Sequence, residues 1–152
     1  GPPALAKSPI WPKTALMDGS DSIARMMALA AAARDNAHAP YSKFKVGACL
    51  RGDSGRLFAG CNVENASYPE SQCAEATALG ALVSAGDRRI LECVVVADGK
   101  DAVMPCGGCC QRLGEFAAPE TKVHLCNTKG LQRTVTLADL LPLTFGRSQL
   151  DR

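Results

Sequence analysis

Apolar and polar positions along the chain alternate between helical and extended rhythms. From Ser20 or Asp21, either of which suits a helix N-cap, Ile23, Met26, Met27, Ala30, Ala31 and Arg34 recur with helical spacing to about Ala37. Such a Met and Ala stripe predicts core packing. Ala39-Pro40-Tyr41-Ser42 ends the helix, because the residue before a proline is pushed out of the helical region. Lys45 to Arg51 and Arg56 to Asn62 then read as an antiparallel pair of strands joined by the turn-rich Gly52-Asp53-Ser54-Gly55. A second helix starts near Ser71, with Ala78, Leu79, Leu82 and Val83 as its buried stripe and Gly86 as its C-terminal glycine. Leu91 to Ala97 is a continuous apolar run, predicting a central strand buried on both faces. Pro105 opens a third helix that runs through Leu113 and Phe116 to Ala118 before Pro119 stops it. Val123 to Cys126 is a further short strand, and Thr136 to Leu141 a short helix closed by Pro142. This order predicts an α/β fold: a three-layer α/β/α sandwich whose mixed sheet is covered on both faces.

Gly1 to Met17 is rich in Pro, Ala and Lys and shows no periodicity. It reads as a flexible N-terminal tail, with Gly1-Pro2 a cloning remnant, and leaves residues 18–152 as the folded domain. Within the tail, Ile10-Trp11 is the stretch able to order against a neighbouring subunit. A length of 152 residues suits one domain with a sizeable core, and a net charge of +2 gives no sign of a nucleic-acid-binding face. No apolar run is long enough to span a membrane, and no secretory signal with a cleavage site is evident. Eight cysteines raise the prospect of a disulfide scaffold, but they lie mostly within apolar segments of a chain large enough to need no staples. Reduced thiols, and hence the cytoplasm, are the expectation.

Two short segments carry the chemistry: Cys73-Ala74-Glu75 and Pro105-Cys106-Gly107-Gly108-Cys109. Each is followed by a helical pattern, which places its thiols at a helix N-terminus. The C-x-x-C spacing lets Cys106 and Cys109 converge on one metal, and Cys73 supplies a third ligand. Three protein ligands leave the fourth tetrahedral position for water, as in catalytic zinc sites. Zinc acidifies that water, and Glu75 is close enough to accept its proton and return it to a leaving nitrogen. Zinc with three thiolates nevertheless carries a formal net charge of about −1, which opposes ionising the water. The two helix N-termini help offset it, and Gly107 and Gly108 let bare backbone approach the sulfurs.

Together with Cys61-Asn62-Val63-Glu64-Asn65-Ala66-Ser67-Tyr68-Pro69, these segments closely resemble the homotetrameric, zinc-dependent cytidine deaminases of pyrimidine salvage. Pro40-Tyr41-Ser42-Lys43-Phe44-Lys45-Val46-Gly47-Ala48 and Leu140-Leu141-Pro142-Leu143-Thr144-Phe145-Gly146 resemble that family's first and last signatures, so the match spans about Ser22 to Leu150. The resemblance implies one Zn²⁺ per chain and hydrolysis of cytidine and deoxycytidine to uridine, deoxyuridine and ammonia. Water activated by zinc attacks C4 of cytosine while Glu75 protonates N3 and passes a proton to the departing ammonia. It further implies that Asn62 and Glu64 bind the ribose hydroxyls, that Phe44 packs on the base, and that the Ala74 backbone with Glu75 reads the polar edge. Ala66, Tyr68 and Phe145 would enter a neighbouring subunit's pocket, so the active site would be complete only in a homo-oligomer, a tetramer by resemblance. The partners implied are a nucleoside and further copies of the chain, with neither nucleic acid nor membrane.

Family members commonly carry Arg directly after the catalytic Glu and often another after the last zinc Cys; here Ala76 and Cys110 stand there. Activity is expected to persist with a less acidic zinc-bound water. Arg112 and Gln111 lie on the same helix, but a helix turns about 100° per residue, so neither need face the metal. Cys110, at i+4 from Cys106, is an alternative ligand to Cys109. Cys49, Cys61, Cys93 and Cys126 fall in strand patterns as small core residues, and His38 and His124 match none of the signatures. Two other functional classes fit less of the chain: deamination of another cytosine-bearing small molecule such as a nucleoside antibiotic, and a non-enzymatic zinc or thiol module.

Overall fold

A computed structural model of the chain describes residues 19–151. The tail expected at 1–17, including Ile10-Trp11, lies outside the described residues. Five strands form one sheet in the order β2-β1-β3-β4-β5, with β1 at Val46–Gly52, β2 at Leu57–Cys61, β3 at Ile90–Ala97, β4 at Ala117–Asn127 and β5 at Gly130–Thr136. The β3 and β4 pair is parallel and the other three are antiparallel, so the sheet is mixed. Helix α1 spans Gly19–Asp35, α2 Ala74–Ser84, α3 Gly107–Phe116 and α4 Leu137–Leu140.

Strand periodicity sorts the core into two halves. Cys49, Val94, Val96 and Cys126 face Met26 and Ala30 of α1 on one side of the sheet. Their neighbours Ala48, Leu50, Cys93, Val95, Val123 and Leu125 face Ala78 and Leu82 of α2, Leu113 of α3 and Leu137 of α4 on the other. Helices therefore cover both faces, as the apolar run of β3 requires. Contact is close: a Cβ on Gly47 would fall 1.9 Å from the Ala30 carbonyl oxygen, and one on Gly60 would fall 2.5 Å from the Ala78 nitrogen. Near Ile23 of α1, the same face carries a polar set built around the buried Glu92 and His124. Glu92 contacts His124 Nε2 at 2.6 Å and accepts from Arg51 Nη2 at 2.8 Å, while His124 Nδ1 lies 2.9 Å from Thr134 Oγ1.

Several boundaries differ from the sequence expectation. Helix α2 begins at Ala74 rather than near Ser71, because Gln72 exchanges backbone hydrogen bonds with Val63 at 2.8 and 2.9 Å and stays extended. A 3-10 turn at Tyr68–Glu70 precedes it. Helix α3 begins two residues after Pro105, with Cys106 as its N-cap. Strand β4 starts at Ala117, directly after α3 and well before Val123, with Pro119 in its irregular first part. Strand β5 was not anticipated. Its residues are mostly exposed at the sheet edge, so it lacks an apolar run. The Asn127 side chain closes the preceding turn by accepting from the backbone N–H groups of Lys129 and Gly130, the latter at φ +146.

Candidate active site

The two cysteine segments meet where α2 and α3 begin. Cys73 is the N-cap of α2 and Cys106 the N-cap of α3, so the thiols stand at helix N-termini as their sequence context suggests. The sulfurs of Cys73, Cys106 and Cys109 lie within 4.8 Å of one another. Zn–S bonds of about 2.3 Å place tetrahedral sulfurs roughly 3.8 Å apart, so this trio fits zinc after a small contraction. Cys110 is buried with its thiol directed at the Pro105 carbonyl oxygen, 3.6 Å away, and is not part of the trio.

Local electrostatics follow the helix ends. The backbone N–H of Cys109 is the main cause holding the Cys106 thiol below its ordinary value, against burial, and the Gly108 N–H adds to it. That is the anion-stabilising effect of a helix N-terminus. Burial pushes the Cys73 and Cys109 thiols up, and the nearby Glu75 carboxylate pushes in the same direction at both. Glu75 is itself buried, at 4 % exposure, and so stands beside the trio inside the protein.

From the trio a cavity of about 280 Å³ opens outward, at the small end of ligand pockets. Cys73, Ala74, Glu75 and Cys106 line its inner end, Val95, Val103, Met104 and Pro105 one wall, and Phe44 and Val46 another. Asn62, Glu64 and Ser42 complete it. Asn62 Oδ1 accepts from Val46 N–H at 2.9 Å and its Nδ2 donates to the Phe44 carbonyl at 2.8 Å. Glu64 Oε1 accepts from the backbone N–H groups of Tyr41 and Ser42 at 3.1 and 3.0 Å, and Oε2 accepts a short bond from the Ser42 hydroxyl. These bonds, the Ser42 hydroxyl first, hold the Glu64 carboxyl below its usual range. The backbone of His38 braces this loop from outside, donating to Asn62 O at 3.1 Å and accepting from Glu64 N–H at 2.8 Å.

The remaining residues carried over from the resemblance lie elsewhere. Ala66 and Tyr68 are exposed, Tyr68 at 70 %, and Phe145 is exposed at 59 %; none lines this chain's cavity. Tyr68 instead borders an adjoining hollow of about 300 Å³ that shares Ser42 and Glu64 with it. Sequence reasoning gave no role to Ser42, which orients Glu64, or to Gly60, which lets α2 settle against β2. Both stood within or beside quoted motifs, but only contacts between distant segments reveal what they do. Of the two candidates on α3, Gln111 donates to the Phe145 carbonyl at 2.8 Å, whereas Arg112 Nη1 reaches Cys109 Sγ at 3.7 Å. His124 is held in the core by Glu92 and Thr134, away from the trio. All eight cysteines carry free thiols. Among the described residues, no helix is long and apolar enough to cross a membrane.

Known proteins share this arrangement. The cytidine deaminase of Sporosarcina psychrophila is 41% identical over 128 residues, covering 84% of this chain and 94% of the relative. That of Halalkalibacterium halodurans is 45% identical over 113 residues, covering 74% and 86% respectively. A crystal structure of cytidine deaminase from Burkholderia pseudomallei superposes with a TM-score of 0.76 at 44% identity, covering 80% of this chain and 98% of that one. The model of the cytidine and deoxycytidylate deaminase zinc-binding region matches residues 20–125, an interval that contains the sulfur trio, Glu75 and the Asn62–Glu64 loop. The chain belongs to that zinc-binding deaminase family.

Proposed function

We propose that this chain hydrolyses cytidine and deoxycytidine to uridine and deoxyuridine with release of ammonia, as an enzyme of pyrimidine salvage. The observation that carries the reading is the zinc-ready sulfur trio with the cavity beside it: Cys73, Cys106 and the buried Glu75 carboxylate line that cavity, and so do Asn62 and Glu64, a polar pair with a donor and an acceptor to spare. Cys73, Cys106 and Cys109 hold one zinc per chain. Zinc, when bound, supplies an acidified water as nucleophile and leaves the protein to handle protons. Glu75 does so, protonating N3 of cytosine and then delivering a proton to the departing amine. Its burial beside the trio keeps it within reach of both.

Recognition follows from counting hydrogen-bonding capacity. An amide nitrogen has two hydrogens, and Asn62 uses one on the Phe44 carbonyl, leaving one for a sugar hydroxyl. A carboxylate has about four acceptor sites, and Glu64 has three occupied, leaving one to accept from a hydroxyl. One donor and one acceptor side by side suit a ribose hydroxyl, which both accepts and donates. Phe44 packs on the base, and the Ala74 backbone with Glu75 reads its polar edge. Exposed Ala66, Tyr68 and Phe145 fit a role in a neighbouring copy's pocket, within a homotetramer whose sites are shared. The deaminase domain is taken as residues 18–152. A metal site of three reduced thiolates suits the cytoplasm.

The test is ultraviolet loss of cytidine absorbance with purified protein, run beside Glu75→Ala, with zinc per chain measured on both. Turnover in the parent, none in the variant and about one zinc in each support the reading. Bound zinc without turnover of either nucleoside would sink it.

A further inference from the structure

We propose that Arg112 is the charge-balancing partner of the metal site, reaching the sulfurs from one turn along α3. Four observations converge. Arg112 Nη1 lies 3.7 Å from Cys109 Sγ, within hydrogen-bond reach of sulfur. The approach is the natural one for a helix, because each Cα–Cβ bond tilts toward the N-terminus and a long side chain at i+3 lies over residue i. The guanidinium lies along the first turn of α3: a Cβ at Gly108 would sit 3.4 Å from Arg112 Nη1, at ordinary contact distance. Among the described residues no carboxylate pairs with Arg112, so its charge is not committed elsewhere.

The site needs such a charge. Zinc with three thiolates is formally −1, and the residues following Glu75 and Cys109 are the neutral Ala76 and Cys110, the latter turned to the Pro105 carbonyl. One guanidinium brings the formal sum to zero. It also donates N–H bonds to a thiolate while remaining charged under all conditions of interest, which makes it a better partner than a lone helix terminus. Arg112 is thus a positioning and charge-balancing residue, acting through Cys109 and not on substrate. Its removal weakens metal retention before it changes anything else.

The experiment uses full-length protein and two variants, Arg112→Gln, which keeps length and hydrogen bonding but not charge, and Arg112→Lys, which keeps charge. Zinc affinity is measured by competition with a chromogenic chelator, and the melting of the zinc-free forms is compared. Outer partners of metal ligands typically contribute about 10–100-fold in affinity, so Arg112→Gln is expected to bind zinc weaker by that factor, with Arg112→Lys within a few-fold of the parent and all three zinc-free proteins melting alike. Equal affinity in Arg112→Gln and parent overturns the inference. So do equal losses in Gln and Lys variants, or a lower zinc-free melting point in Arg112→Gln, since either makes the role one of shape. The inference rests on Cys73, Cys106 and Cys109 as ligands; a parent that binds no zinc would sink that assignment as well, whereas an unaffected Arg112→Gln sinks this one alone.

Discussion

Replacing Asn62 by Ala separates the two duties assigned to its amide. In the fold, Oδ1 takes the part-buried Val46 N–H at 2.9 Å and Nδ2 holds the exposed Phe44 carbonyl at 2.8 Å. Removing the side chain strands a partly buried donor, costing about 1–3 kcal/mol, while the exposed carbonyl takes water at a cost of about 0.5 kcal/mol. With a slope of about 2 kcal/mol per molar urea, the sum lowers the unfolding midpoint by roughly 1 M. The sugar also loses one donor, worth about tenfold in KM if the bond contributes about 1.4 kcal/mol. Asn62→Asp tests the division, because it keeps an acceptor for Val46 N–H but loses both donations. Urea unfolding of the zinc-loaded proteins and cytidine kinetics are the assays. The Asp variant should stay near the parent in stability and match the Ala variant in raised KM. An unchanged midpoint in Asn62→Ala would refute the clamp, and an unchanged KM in both variants would refute the sugar contact.

Three further outcomes are expected. Glu75→Gln should keep its zinc and lose about 10²–10⁴-fold in kcat, since it removes proton transfer and leaves the sulfur trio alone; metal analysis with kinetics decides, and a variant within tenfold of the parent would contradict the role. Gly60→Ala drives a methyl to 2.5 Å from Ala78 N and 2.8 Å from Thr77 Cβ, pushing α2 outward with Cys73 and Glu75 at its start. Overpacking of this kind costs about 1–3 kcal/mol, so thermal unfolding should come earlier and zinc occupancy fall; an unshifted melting point would show that α2 moves freely. The Glu92 carboxyl is held below its usual range although burial opposes this, because His124 and Arg51 favour its charge. A depressed carboxylate contributes stability that is complete above its unfolded value near 4.5 and is lost as pH falls through its folded value. In zinc-free protein, Glu92→Gln should therefore flatten the acid limb of the urea midpoint against pH; parallel curves would exclude the pair as its source.

The central parts of the fold were legible because one rhythm dominated each. The run Leu91 to Ala97 reads as a strand buried on both sides, as Cys93 to Ala97 are although Leu91 is exposed, and the Met26 and Ala30 stripe reads as a packed helix face. The sulfur trio was legible because spacing, Pro105 and the distant Cys73-Ala74-Glu75 agreed on one chemistry. Strand β5 was not, because Leu131 to Thr134 are exposed at the edge and, among the described residues, it pairs with β4 alone, a relation no local pattern encodes. The start of α2 was misplaced for a similar reason: the bonds between Gln72 and Val63 that keep residues 71 and 72 extended link segments with no periodicity in common. Charge was the least legible term. Ala76 and Cys110 announced a deficit, but whether Arg112 or Gln111 faced the metal depended on helix phase to within one residue, and only the contacts at Cys109 and Phe145 resolved it.

The same contacts explain how the two ends of the cavity come to be coupled. At the inner end, metal ligands and Glu75 sit at the starts of α2 and α3, whose positions are fixed by the close packing of Gly60 and by the burial of Leu113. At the mouth, Asn62 makes two and Glu64 three hydrogen bonds to residues 41–46, the segment that carries Phe44 into the cavity. The Glu64 carboxylate, with three of its about four sites already fixed, has little freedom left, so its remaining site is aimed with little entropic cost at binding. Gln111 extends this logic to the outer surface, joining α3 and hence the metal loop to the backbone that presents the exposed Phe145. Anything that docks against Phe145 therefore bears on the helix that carries Cys106 and Cys109 through this 2.8 Å bond and through the Arg147–Glu115 ion pair at 3.8 Å beside it.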